Sequence, residues 1–149
     1  MPETPQERLS RLQFEMQQRA GLFKKLVEEL GPGVLDVAKQ HIIDSTQAQF
    51  EHMDLPQRDL NAVQALVWDQ AGDDVDYTVE DQTPNRLKMR VTRCIWADEM
   101  RKHDAADIGF VFHCCWDYGF CLGLNPAMRF TRTKTLMQGD DCCDHTYEV

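Results

Sequence analysis

Apolar residues recur at three- and four-residue steps from residue 6 to residue 30. Leu9, Leu12, Met16, Ala20, Phe23, Leu26, Val27 and Leu30 therefore share one face of a predicted helix. Gly31-Pro32-Gly33 ends it, because glycine caps a helix C-terminus and proline cannot continue the hydrogen-bond ladder. A second helix is predicted from Val34 to about His52, with Leu35, Ala38, Ile42 and Ser45 facing inward. Asp54-Leu55-Pro56 breaks the chain, and a third helix over about 57–70 carries Leu60, Val63, Leu66 and Val67.

The period then changes. Val75, Tyr77 and Val79 alternate with polar residues, as do Leu87, Met89 and Val91, which is the pattern of half-buried strands. Thr83-Pro84-Asn85 between them is a turn signal, so the two runs form a hairpin. A short helix is predicted over 96–103. Residues 106–122 are apolar and uninterrupted, best read as one buried helix that Asn125-Pro126 terminates. Two final strands are expected at 128–137 and 143–149, joined at Gln138-Gly139-Asp140-Asp141. Helices first and strands later predict an α+β fold, an antiparallel sheet with one buried helix packed on it. The length of 149 residues fits one domain, with a helical part over 1–72 and the sheet plus buried helix over 73–149.

Charge narrows the functional classes. Sixteen basic and 25 acidic residues give a net charge of −9, and the pI is about 4.9. That argues against nucleic acid as a partner, which needs a clustered positive face. No apolar run approaches the ~20 residues of a membrane span. Met1–Pro5 has neither the basic nor the apolar region of a secretory signal, so a cytoplasmic location is expected. There thiols stay reduced, and all six cysteines, Cys94, Cys114, Cys115, Cys121, Cys142 and Cys143, are expected to be free.

Two stretches could carry chemistry. Cys114, Asp117 and Tyr118 lie three and four residues apart and share a helix face. A thiol beside a carboxylate and a phenol can form a reaction centre. Alternatively Cys114 is a small core residue and Asp117 the partner of a buried arginine. Further on, Cys143, His145 and Tyr147 project from one strand face, so Cys143 could converge with Cys114. Cysteines plus a histidine are also a zinc inventory, although C-x-x-C and a histidine pair at ligand spacing are both missing. Arg132 shares a strand face with Phe130 and Lys134, and its fork suits a substrate carboxylate. His41, His52 and His103 sit in polar helical contexts and are expected in solvent. The chain has no glycine-rich phosphate loop and no nucleophile elbow.

The order of motifs is Thr92-x-Cys94, Cys114-x-x-Asp117, Phe130-x-Arg132-Thr133-x-Thr135-Leu136 and Gly139-Asp140-x-x-Cys143-Asp144. Over about residues 75–149 it resembles the L-2-amino-thiazoline-4-carboxylic acid hydrolase family. The resemblance implies a hydrolase that opens the C=N bond of a small, carboxylate-bearing cyclic amidine, giving N-carbamoyl-cysteine from the aminothiazoline. It carries over Cys94, Cys114, Asp117, Arg132, Gly139, Asp140 and Cys143. His145 departs from the aromatic residue common after the final Cys-Asp. Cys115, Cys121 and Cys142 fall outside the pattern and are read as packing residues.

On this reading Cys114 or Cys143 is the thiolate or positions water, Asp117 orients or protonates, and Arg132 holds the substrate carboxylate. Cys94, Tyr118, Asp140 and His145 complete the substrate site. No cofactor is implied, the partner is a small-molecule substrate, and a homo-oligomer stays open. The rivals are a non-catalytic sensor domain binding a small ligand or a metal, and a purely structural metal site.

Overall fold

The structure is a computed structural model that describes residues 1–149. Helix α1 spans Pro5–Leu30. Its start is fixed by a reciprocal capping box between Thr4 and Glu7, with Pro5 in the first turn where its missing N–H is harmless. Gly31 ends it at φ 89°, a conformation that glycine adopts without a Cβ clash. Helix α2 spans Gly33–Glu51. Thr46 and Phe50 are its buried residues, while Ser45 is exposed. The buried stripe therefore lies one position beyond the expected Ser45.

Asp59 accepts from the backbone N–H of Ala62 and starts α3, Leu60–Val63, three residues later than the pattern predicts. From Gln64 to Trp68 the helix widens into a π-helical turn. Arg58, just before it, donates to the carbonyls of Phe50 (2.9 Å), Met53 (2.6 Å), Gly123 (3.1 Å) and Leu124 (3.2 Å). One guanidinium thus caps the C-terminal carbonyls of two helices, where a cation is favoured by the helix dipole.

The hairpin is β1, Val75–Thr83, and β2, Arg86–Cys94. The α4 helix, Ile95–Lys102, follows directly. The single helix predicted over 106–122 is instead three pieces. These are α5, Ala106–Gly109, a π-helical turn over Phe110–Cys114, and α6, Trp116–Leu124. The wide turn is closed by the bond from Cys115 N–H to the Phe110 carbonyl. Helix α6 packs on the sheet through Phe120, Cys121 and Leu124, in one core with Leu87, Met89, Val91 and Tyr147. Its other side meets α2 at close range. A Cβ on Gly119 would stand 2.5 Å from the Ile43 carbonyl oxygen, and one on Gly123 2.3 Å from that of Gln47.

The expected strand over 128–137 shrinks to β3, Arg129–Thr131. Side-chain acceptors take over the backbone donors beyond it. Asp144 accepts from the N–H groups of Thr133 and Lys134 and from the Thr133 hydroxyl, and Asp140 accepts from Thr135 N–H. Donors satisfied this way leave nothing for a ladder. Arg132 thus lies in a loop rather than on a strand. The last strand, β4, is Cys143–Glu148. The sheet order is β1-β2-β4-β3 and every pair is antiparallel. Facing pairs Leu87–Tyr147, Met89–His145 and Val91–Cys143 line its buried face. Arg86, Lys88 and Arg90 point the other way, toward Glu80, Asp81 and Asp141.

A second core lies under α1, where Met16 and Ala20 pack on Ala97, Met100, Ala105, Ile108 and Met137. No helix is long and apolar enough to cross a membrane.

Candidate active site

A cavity of about 380 Å³ lies where the two cores meet. Its walls are the π-helical turn at Leu66–Trp68, the start of α4 at Trp96 and Ala97, and the second π-helical turn at Phe112–Cys114. The buried face of the sheet contributes Val91, Cys143 and His145, and Cys94 stands at the end of β2. Cys114, Asp117, Arg132 and Cys143 all line this one space, although they come from a π-helical turn, a helix, a loop and a strand.

Arg132 is almost wholly buried, its side chain 2% exposed. It donates to Asp117 Oδ2 at 2.5 Å and to the Cys114 carbonyl at 3.0 Å. Both ends of its fork are thereby engaged within the protein, so the two-pronged grip on a substrate carboxylate expected from the sequence is already taken. The reason is Asp117, which is buried and demands a partner. Only Nε of Arg132 is buried without one. The guanidinium also lies near the rings of Phe110, Tyr118 and Phe130, which fixes its plane.

The thiols differ in their surroundings. Burial pushes Cys94 and Cys114 up, Cys114 far above the usual thiol value even though Arg132 opposes the shift. Burial also raises Cys143, but only to about 11, because the Leu136 N–H and then the Arg132 charge favour its thiolate. That N–H donates to Cys143 Sγ at 3.2 Å. A thiolate is the reactive form of cysteine, so Cys143 is the better placed of the two candidates. His145 is driven down to about 4, first by burial, with Arg132 acting in the same direction, and is a neutral imidazole at pH 7.

The sequence profile of the L-2-amino-thiazoline-4-carboxylic acid hydrolase family matches residues 13–147. The chain belongs to that family. No curated protein and no solved structure matches it. Family membership extends well beyond the motif-bearing half, through most of α1 and all of α2.

Five of the residues that the motif resemblance carries over, Cys94, Cys114, Asp117, Arg132 and Cys143, line the cavity, and so does His145. Two expected site residues stand off the cavity lining. Tyr118 lies beneath the Arg132 guanidinium at 5.4 Å, and Asp140 closes the loop through Thr135. All six cysteines are free, and no three His, Cys, Asp or Glu side chains converge as a metal-binding set. His103, expected in solvent, is half-buried against Glu99 at 2.9 Å.

Sequence reasoning missed the aromatic wall of this hydrolase-family cavity. Trp68, Trp96, Phe112, His113 and Trp116 all line it. Both π-helical turns contribute, and such turns occur often at functional sites, but no residue pattern marks them in advance.

Proposed function

We propose that this member of the family is a hydrolase that attacks the amidine carbon of a small cyclic C=N substrate such as 2-aminothiazoline-4-carboxylate. The observation that carries this reading is the meeting of Cys143, Cys114, Cys94 and His145 with the buried Arg132–Asp117 pair in one cavity. Cys143 Sγ attacks the ring carbon between sulfur and nitrogen while the amidine nitrogen of the substrate takes the thiol proton, because His145, held near 4, is too weak a base for a thiol raised to about 11. The N-carbamoyl product keeps both nitrogens on that carbon, so the ring bond that breaks is carbon–sulfur, which corrects the expectation that the C=N bond itself is opened: the C=N carbon is where attack occurs. The nitrogen lone pair re-forms C=N as that bond breaks, and the proton passes from nitrogen to the leaving sulfur. Water then adds to the enzyme-bound carbon and the Cys143 thiol departs, for a net addition of one water. Arg132 favours the negative charge on sulfur, and Asp117 holds the guanidinium in place.

The test is loss of substrate across a panel of cyclic amidines, with Cys143→Ser and Cys114→Ser each scored for turnover and melting. Cys143→Ser is expected to melt near the wild-type temperature and lose roughly 10²-fold or more in rate. Cys114→Ser is expected to stay within about tenfold, since its buried thiol is not required to ionise. Wild-type-like turnover in Cys143→Ser would sink the assignment.

A second reading is a domain that binds the same class of ligand without consuming it. It is favoured by the burial that holds every cavity thiol above its usual value. Saturable binding with no substrate loss in any member of the panel would select it.

A further inference from the structure

We propose that the cavity takes a cyclic amidine whose ring substituent is uncharged and apolar or aromatic in place of a carboxylate, with Asp117 Oδ1 accepting one amidine N–H. The proposal refines the substrate class of the hydrolase reading and rests on that reading only in calling the ligand a substrate.

Charge decides against the carboxylate. Arg132 is the only arginine or lysine lining the cavity, and its fork is held by Asp117 and the Cys114 carbonyl. The remaining charged lining residue, Asp74, is taken at both oxygens by Arg8, each at 2.6 Å. His113 and His145 are neutral at pH 7, each pushed down to about 4 by burial. A carboxylate brought inside would shed its water and meet no free cation, and an unpaired buried charge is strongly unfavourable. Pointing it outward brings no partner either. Gln70 is the one lining residue that is exposed, so the cavity opens beside it. Asp69 and Asp73, which flank Gln70 in the chain, are exposed acids, while the nearby Arg93 is engaged by Asp76 at 2.9 Å.

The wall suits an apolar or aromatic group instead. The chain has three tryptophans, Trp68, Trp96 and Trp116, and all three line this cavity. Its volume of about 380 Å³ falls within the roughly 300–1,000 Å³ that holds drug-sized ligands, more than one small ring fills.

One acceptor is left for the amidine. Asp117 engages Arg132 through Oδ2. Its Oδ1 accepts no hydrogen bond, yet it is not sealed as the unpaired Nε of Arg132 is, and the side chain keeps 11% exposure. An amidine offers N–H groups and, once protonated, a positive charge, both of which a carboxylate oxygen favours.

The probes are 2-amino-2-thiazolines carrying at C4 a hydrogen, a phenyl group, a carboxylate or its methyl ester, and the 2-oxo analogue of the phenyl compound. Binding is read on Cys143→Ser by calorimetry and by tryptophan emission, which reports this cavity alone because it holds every tryptophan. Wild type read in the first second after mixing replaces the variant if it does not fold. The phenyl compound should bind about 10-fold or more tighter than the parent, and the methyl ester tighter than the carboxylate by about the same factor. The 2-oxo analogue should bind roughly 10-fold weaker than its amidine. Emission should change with each compound that binds. The carboxylate binding at least as tightly as its ester, the phenyl compound no tighter than the parent, the 2-oxo analogue equal to its amidine, unchanged emission, or no binding by any probe overturns the proposal. Turnover is not read, so failure of the hydrolase reading and failure of this one are seen separately.

Discussion

Gly123→Ala and Gly21→Ala are the same chemical change in two helices and should have opposite signs. Alanine is favoured over glycine in a helix interior by about 1 kcal/mol. Gly21, in the middle of α1, is exposed and has nothing within 4 Å of where its Cβ would go, so it should gain that amount. At Gly123 the new Cβ would lie 2.3 Å from the Gln47 carbonyl oxygen and 3.0 Å from two further backbone atoms of Gln47. Backbone cannot swing aside as a side-chain tip can. Helix α6 must retreat from α2 by about 1 Å, and a gap of that size forfeits a quarter to a half of each dispersion contact along the seam. Overpacking of this kind costs about 1–3 kcal/mol, and a backbone neighbour places it at the upper end. After the helix-propensity gain, a net loss of about 1–2 kcal/mol remains. For a chain of this size that is a melting temperature lower by roughly 2–8 °C, against a rise of roughly 2–4 °C for Gly21→Ala. Thermal melts of the two variants beside wild type are the assay. A Gly123→Ala protein that melts above wild type would refute the close α2–α6 crossing.

Asp117→Leu strands the Arg132 guanidinium in a site where its side chain is 2% exposed. It should cost about 3–5 kcal/mol in urea unfolding, and adding Arg132→Met should recover a substantial part; equal losses in the single and double variants would show that the pair is not coupled. His113 and His145 have folded-state values near 4 against about 6.5 when unfolded. The unfolded chain thus binds more protons between those limits, and stability should fall as pH drops from about 6.5 toward 4. The loss should reach a few kcal/mol, since each tenfold change in proton affinity is worth about 1.4 kcal/mol. Urea midpoints at pH 7 and pH 4.5 should be farther apart in wild type than in a His113→Gln, His145→Gln double variant; identical separations would refute the assignment.

The elements with a strong period were legible from the residues alone. The α1 helix carries eight apolar residues on one face, and the second arm of the 75–94 hairpin buries Leu87, Met89 and Val91 as its alternation requires, whereas β1 shifts register at Asp76/Tyr77 and Val79/Asp81 and leaves Val79 exposed. What failed depends on partners distant in sequence. Residues 132–135 look like strand but are claimed by Asp140 and Asp144, acceptors that a local pattern cannot assign. The π-helical turn at 110–114 keeps an apolar composition, so only its hydrogen bonds distinguish it from α-helix. In the site, the spacing of Cys114 and Asp117 was readable. A buried arginine as the partner of Asp117 was one of the two readings open there; that Arg132 is that arginine was not readable, because it comes from a loop distant in sequence.

The place of β4 in the sheet has a consequence for how the protein is made. β2 pairs with β1 on one edge and with β4 on the other, yet β4 begins at Cys143 while β2 ends at Cys94. At synthesis rates of about 5–20 residues per second, the hairpin emerges roughly 3–10 s before the strand that completes it. During that interval the strand that carries Leu87, Met89 and Val91 is paired with β1 alone, and its other side is an open edge of the kind that recruits other chains. The nascent hairpin is therefore open to edge pairing until β4 arrives. Slowing translation across residues 95–142 lengthens its exposure instead of aiding assembly.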